Sequence, residues 1–160
     1  NDLAHRGLAE QIQVHSFTRE YQAVVYGALK QENGTIDAPI GRDPNDRKRM
    51  TVTAQHARNA VTHYRVAARY DGFTHVVLRL ETGRTHQIRV HMSSIGHPLL
   101  GDMLYSSGKS PFKGLQGQTL HAKTIGIIHP RTGEYLEIDA PLPEYFEELL
   151  QKLENNIQLK

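Results

Sequence analysis

The stretch Glu81-Thr-Gly-Arg-Thr-His-Gln-Ile-Arg-Val-His-Met-Ser-Ser-Ile-Gly-His-Pro-Leu-Leu-Gly-Asp102 decides how the chain is read. Alternation runs into it: Val76, Leu78 and Leu80 share one face against Val77, Arg79 and Glu81, which is the period of a strand. The pattern breaks at Thr82-Gly83. From Thr85 the period changes, and Ile88, Met92 and Ile95 fall at i, i+4 and i+7, one face of a helix. Thr85 is placed to cap that helix, Gly96 to end it in a left-handed conformation, and Pro98 to forbid continuation. The spacing predicts a strand, a tight turn and a helix of about three turns.

The same stretch packs Arg84, His86, Gln87, Arg89 and His91 into eight positions with no acid among them. Arg89 follows Ile88 and so emerges at the edge of the apolar stripe. A guanidinium there is expensive to bury unless it meets a carboxylate or a phosphate. Gly83-Arg84-Thr85 shapes a helix start suited to an anion. A solvated basic helix face accounts for these residue types as well.

Working outward, Ser16 to Gly27 alternates, with Phe17, Tyr21, Ala23 and Val25 on one face: a strand ended by glycine. Leu3 to His15 is predicted helical. Lys30 to Gly41 reads as loop, and Arg42-Asp-Pro-Asn-Asp-Arg-Lys-Arg-Met50 as a basic segment without periodicity, either a solvated loop or, through Arg47, Lys48 and Arg49, an RNA contact. Arg58 to Tyr70 and Phe73 to Glu81 are strands joined at Asp71-Gly72, a hairpin signal. Asp102 to Gly117 is irregular, a surface loop around Tyr105. Thr119 to His129 and Glu134 to Ala140 form a second hairpin about Pro130 to Gly133. Tyr145, Phe146, Leu149, Leu150 and Leu153 mark an amphipathic C-terminal helix, frayed from Asn155 onward.

Composition bounds the function class. A length of 160 residues suits one domain or part of a larger one. No apolar run approaches the roughly 20 residues of a membrane span, and Asn1 to Arg6 lacks the apolar core of a signal peptide. With no cysteine there is no disulfide framework and no thiolate metal site, which suits a reducing cytoplasm. The ten histidines show no metal-ligand spacing, and buried hydrogen-bonded roles suit His97, His121 and His129 better. Net charge is only +2, but it is unevenly spread. Residues 84 to 131 hold six basic residues against Asp102, and residues 132 to 160 hold seven acids against two lysines. That asymmetry fits one face turned to a polyanion.

Arg84-Thr-His-Gln-Ile-Arg-Val-His, then Gly96-His-Pro-Leu-Leu-Gly-Asp and Tyr105, resembles the signature of the RluA family of RNA pseudouridine synthases. Arg19-x-Tyr-x-Ala-x-Val-x-Gly27 resembles a second motif of that family, whose tyrosine lies against the target uracil. The resemblance implies an α+β fold with a mixed, mostly antiparallel sheet and flanking helices. It implies an isomerase that turns uridine into pseudouridine in structured RNA without a cofactor, in the cytoplasm. Tyr21 and Arg89 match catalytic positions, Arg89 as the partner of a nucleophilic aspartate. Arg84, Thr85 and His86 match candidates for phosphate or nucleotide contact. The family's His-Arg-Leu-Asp segment, which carries that aspartate, is not among these residues. The chain is therefore expected to be the C-terminal part of a catalytic domain, inactive alone and open to self-association through an unpaired sheet edge. A non-catalytic RNA-binding module of the same fold is the alternative.

Overall fold

The computed structural model describes residues 18–107 and 110–158; the helix expected over Leu3 to His15 lies outside them. Nine strands and two helices follow in order: β1 Thr18–Tyr26, β2 Asn33–Asp37, β3 Ile40–Arg42, β4 Met50–Val52, β5 Ala57–Arg58, β6 Val61–Tyr70, β7 Phe73–Leu80, α1 Gln87–Ser94, β8 Leu120–Ile128, β9 Tyr135–Asp139 and α2 Glu144–Gln158. Six strands form one sheet in the order β2-β6-β7-β1-β8-β9, every described pair antiparallel, and β3 lies between β4 and β5 in a small second sheet. The fold is α+β, as expected.

The centre of the large sheet is apolar on both faces because α1 and α2 cover opposite sides. Ala23 and Val25 of β1 face a core with Val76, Leu78, Ile88 and Met92, so α1 lies on that side. Val24, between them, points the other way into Phe146, Leu149 and Leu153 of α2. Successive strand residues alternate faces, and Phe146, Leu149 and Leu153 recur at i, i+3 and i+7 on one helix stripe. Each is fully or almost fully buried, contributing about 1.5–3 kcal/mol relative to exposure.

After α1 the chain returns to β1. Tyr26 N–H donates to the Pro98 carbonyl and Leu100 N–H to that of Val24, while Leu99 pairs opposite Val25. Leu99 thus enters one core and Leu100 the other. Gly101 then turns with φ of 83°, where an added Cβ would lie 2.3 Å from the Gly117 carbonyl oxygen. Only glycine fits that position, and it delivers Asp102 beneath α1.

Several expectations are corrected. Lys30 to Gly41, read as loop, holds β2 and most of β3, β4 begins at Met50, the end of the basic segment, and Arg58, read as the start of a long strand, belongs to the separate β5: these are short strands with too few apolar residues to show a period. The motif helix starts at Gln87, has eight residues and about two turns. Thr85 does not cap it; the N-cap is His86 in a left-handed conformation with no side-chain cap bond. Ile95 lies at the C-cap and is 39% exposed rather than on the buried stripe. Gly96 does end the helix, with φ of 86°. Tyr105 is buried instead of on the surface, because Arg49 and Met50 cover it. Helix α2 continues through Gln158 instead of fraying at Asn155.

Candidate active site

The turn into α1 is built by one side chain. Gln87 is buried, and its Oε1 accepts from Arg84 N–H at 2.9 Å and from the Thr82 hydroxyl at 2.7 Å. Its Nε2 donates to the Val61 carbonyl at 3.0 Å and to Thr62 Oγ1 at 2.9 Å. The amide therefore fixes the turn that leads into the helix and pins α1 to β6. His91, one turn on, is fully buried. Its Nε2 faces the Ala38 carbonyl at 2.9 Å, which can only accept, so the ring proton sits there. Nδ1 then accepts from the Thr62 hydroxyl at 2.8 Å. Burial pushes the His91 pKa down, and the ring is neutral.

Arg89, at the edge of the same helix, meets Asp102. Arg89 Nε and Nη2 donate to Asp102 Oδ2 and Oδ1 at 2.8 and 3.0 Å, and Oδ1 also accepts the N–H groups of Leu104 and Tyr105 at 2.9 and 3.0 Å. Asp102 is fully buried. Burial alone raises its pKa, but the Arg89 fork and the two N–H donors outweigh that and hold it below the usual carboxylate range. The guanidiniums of Arg49 and Arg89 lie 5.1 and 5.0 Å from the centre of the Tyr105 ring. The Tyr105 hydroxyl accepts from Met50 N–H at 2.9 Å and is hydrogen-bonded to His86 Nδ1 at 2.8 Å. Burial and then the Arg89 charge lower the His86 pKa, so this ring is neutral too.

These elements open a cavity of about 300 Å³ lined by Arg19, Tyr21, Arg84, His86 and Arg89 among others. Strand β1 supplies Tyr21 just after a bulge against β8, a device that re-aims a side chain. Arg19 lies across Gly83, where a Cβ would sit 2.0 Å from its Nη1. Its Nε is buried without a hydrogen-bond partner among the described residues.

Four residues singled out from sequence, Tyr21, Arg84, His86 and Arg89, therefore share one cavity. Thr85 lines a neighbouring cleft together with Arg84. Arg47 and Lys48 sit apart in an exposed turn, and Arg49 is turned inward, donating to the Leu104 carbonyl at 2.9 Å. The carboxylate bound to Arg89 is Asp102, a partner within the chain that the sequence did not suggest; the only signal was its place as the sole acid between residues 84 and 131. Arg19 was also passed over, though its position two residues before Tyr21 puts both side chains on one face of β1. His97, His121 and His129 hold backbone groups of Tyr26, Ala140, and Arg131 and Thr132.

Comparison with known proteins follows this geometry. The family described as RNA pseudouridylate synthase matches residues 1–94. An uncharacterized RNA pseudouridine synthase of Bacillus subtilis is 53% identical over 156 residues, 98% of this chain and 50% of its own length. A ribosomal large subunit pseudouridine synthase D of Haemophilus ducreyi is 43% identical over 169 residues, 99% of this chain and 51% of its own. The chain spans about half the length of the curated relatives it matches. Among solved structures, human RNA pseudouridylate synthase domain containing 1 superposes with a TM-score of 0.77 at 26% identity, over 96% of this chain and 72% of that one.

Proposed function

Because the chain belongs to the RNA pseudouridylate synthase family, of the RluA type, we propose that it forms the tyrosine- and arginine-bearing part of an active site that isomerises uridine to pseudouridine in large-subunit ribosomal RNA, in the cytoplasm. The observation that carries this reading is the cavity where Tyr21, Arg84, His86 and Arg89 converge. The reaction breaks the bond between uracil N1 and ribose C1′, turns the base, and joins C5 to C1′; a proton leaves C5 and one is returned to N1. Tyr21 lies against the uracil, which must be flipped out of its stack to reach it. Neutral His86 offers Nε2 to the substrate, and Arg84 at the rim meets a backbone phosphate.

The nucleophilic carboxylate comes from a segment outside these residues. Asp102 does not serve, because four donors hold its lone pairs in the protein interior. The incoming carboxylate meets the cations that remain: Arg89 through Nη1, which has no partner among the described residues, and Arg19. Such an acid stays ionised at neutral pH only with a fixed cation beside it.

Release of tritium from RNA labelled at uridine C5 tests the reading. In the protein that includes the His-Arg-Leu-Asp segment, Tyr21→Phe lowers release by about 10²-fold or more with RNA affinity unchanged, and residues 1–160 alone release none. Full release by the Phe variant, or by residues 1–160 alone, contradicts the proposal.

A further inference from the structure

We propose that the cleft between β3–β5 and the Gly83–Thr85 turn is a phosphate subsite for the RNA strand that flanks the target nucleotide, with Arg42, Arg58 and Arg84 as its ligands. This rests on the functional reading above. The cleft, of about 280 Å³, shares Gly83 and Arg84 with the base cavity. A strand that leaves its base in one cavity therefore passes Arg84 into the other.

The arginines of this cleft differ from those that are paired with acids. Arg69 and Arg89 are neutralised by carboxylates, those of Glu32 and Asp102 at 2.5 and 2.8 Å, and Arg49 has Asp43 at 3.9 Å. The cleft arginines are held by neutral oxygens instead. Arg84 Nε donates to the Asn59 carbonyl at 2.9 Å, and Arg42 Nη1 to that of Arg47 at 2.7 Å. Arg58 is exposed, and its side chain forms no hydrogen bond or ion pair among the described residues. No acidic side chain lines the cleft. The acids of the adjoining loop, Asp43 and Asp46, accept from the N–H groups of Asn45 and Lys48. Two guanidiniums are thus fixed in place with their charge uncompensated, the condition for preorganised recognition of an anion.

The backbone marks the same place. Among the described residues, His56 and His86 alone combine a side chain with positive φ, 49° and 56°. One lines the cleft and the other the base cavity. Strained residues of this kind cluster at ligand sites. The small sheet is also anchored to the catalytic cluster, through Met50 on the Tyr105 hydroxyl and Arg49 on the Leu104 carbonyl. The cleft therefore keeps its position relative to the base cavity.

The test uses the intact protein and an RNA hairpin with one uridine in its loop, the phosphates replaced singly by neutral methylphosphonates. Binding is titrated against salt for wild type, Arg58→Gln, Arg42→Gln/Arg58→Gln and the charge-preserving Arg58→Lys. Losing the phosphate contact lowers the magnitude of the log–log salt slope by up to about 0.7, most nearly reached in the double variant, whereas Arg58→Lys keeps the wild-type slope. A methylphosphonate at one linkage beside the uridine weakens wild-type binding several-fold and the double variant, which keeps Arg84, clearly less, a coupling that only a direct contact produces. Arg58→Gln touches no internal bond, so its slope is readable even if Arg42→Gln loosens its loop. If the variants keep the wild-type slope, or every linkage affects wild type and variant alike, the subsite is wrong while RNA binding stands. If wild type binds no RNA, the functional reading fails and the subsite with it.

Discussion

Replacing Arg89 by methionine leaves the Asp102 carboxylate in the interior with half of its donors. The residue is fully buried and the arginine side chain is 14% exposed, so water screens the pair little. Of four bonds to the carboxylate, two are lost and two backbone N–H groups remain. A hydrogen bond to a charged group is worth about 1.5–3 kcal/mol, giving about 3–6 kcal/mol for two. Breaking a buried ion pair by removing one partner costs about 3–5 kcal/mol, and the two routes agree. Urea unfolding at pH 7 measures the loss. Asp102→Asn in the same background removes the stranded charge, so the double variant falls short of the summed single losses by about 2–3 kcal/mol. The pH dependence has a definite sign. In wild type the Asp102 pKa is lowered, so its contribution is present above the unfolded carboxyl value near 4 and is lost as pH falls through the folded one. In the methionine variant only the two backbone N–H groups oppose burial, the largest influence, and the pKa rises above the unfolded value; protonation on acidification then favours the folded state. The gap between wild type and variant narrows from pH 7 to pH 4. A loss under about 1 kcal/mol at pH 7, against the range above, or a gap that stays constant down to pH 4, refutes the pairing.

Two further outcomes follow from the geometry. Gly83→Ala drives its Cβ into the Arg19 guanidinium; the tip of a flexible side chain gives way cheaply, so the urea midpoint stays close to wild type while tritium release by the intact protein falls at least about tenfold, the effect of displacing a cation that positions a carboxylate. Unchanged activity removes Arg19 from the site. His75 has its pKa lowered to about 4 by burial and then by the Arg65 charge. The unfolded chain therefore takes up a proton near 6.5 that the folded one refuses, and stability drops by about 3 kcal/mol between pH 6.5 and 4. His75→Gln flattens that part of the stability profile, and an unaltered profile sinks the assignment.

What the sequence made legible was whatever repeats along a regular element. Strand β1, the β6–β7 and β8–β9 hairpins and α2 all carry enough periodic apolar residues, and their turns carry Asp71-Gly72 and Pro130 to Gly133. Strands β2 to β5 were illegible because they are short and lie at an edge or in a small sheet; β2 buries only Ile36. The N-cap failed for a different reason. Capping rules look for a side chain bonded to the first turn, but here no side chain caps α1; Gln87 instead holds the preceding turn through Arg84 N–H and is fixed by Val61 and Thr62, 26 and 25 residues away. Tyr21, Arg84, His86 and Arg89, which line one cavity, were singled out from motif order. Asp102 as the partner of Arg89 was not, since the pairing depends on a loop returning to β1 through Leu99 and Leu100, which no periodicity records.

The density of that motif has a mechanical cause. Within five consecutive residues α1 turns Gln87 and His91 to β6, Ile88 into the sheet core and Arg89 to Asp102, with Val90 packed beside Ile40 and Tyr105. Each side of an eight-residue helix is thus committed to a different neighbour. Rotation by one residue, 100° on a helix of 3.6 residues per turn, would put the guanidinium into the apolar core and Val90 against the carboxylate, and both displacements carry the cost of unpaired buried groups. The helix therefore has one stable register. Under the proposed function, the placement of Tyr21, His86 and Arg89 relies on the buried polar network behind the cavity.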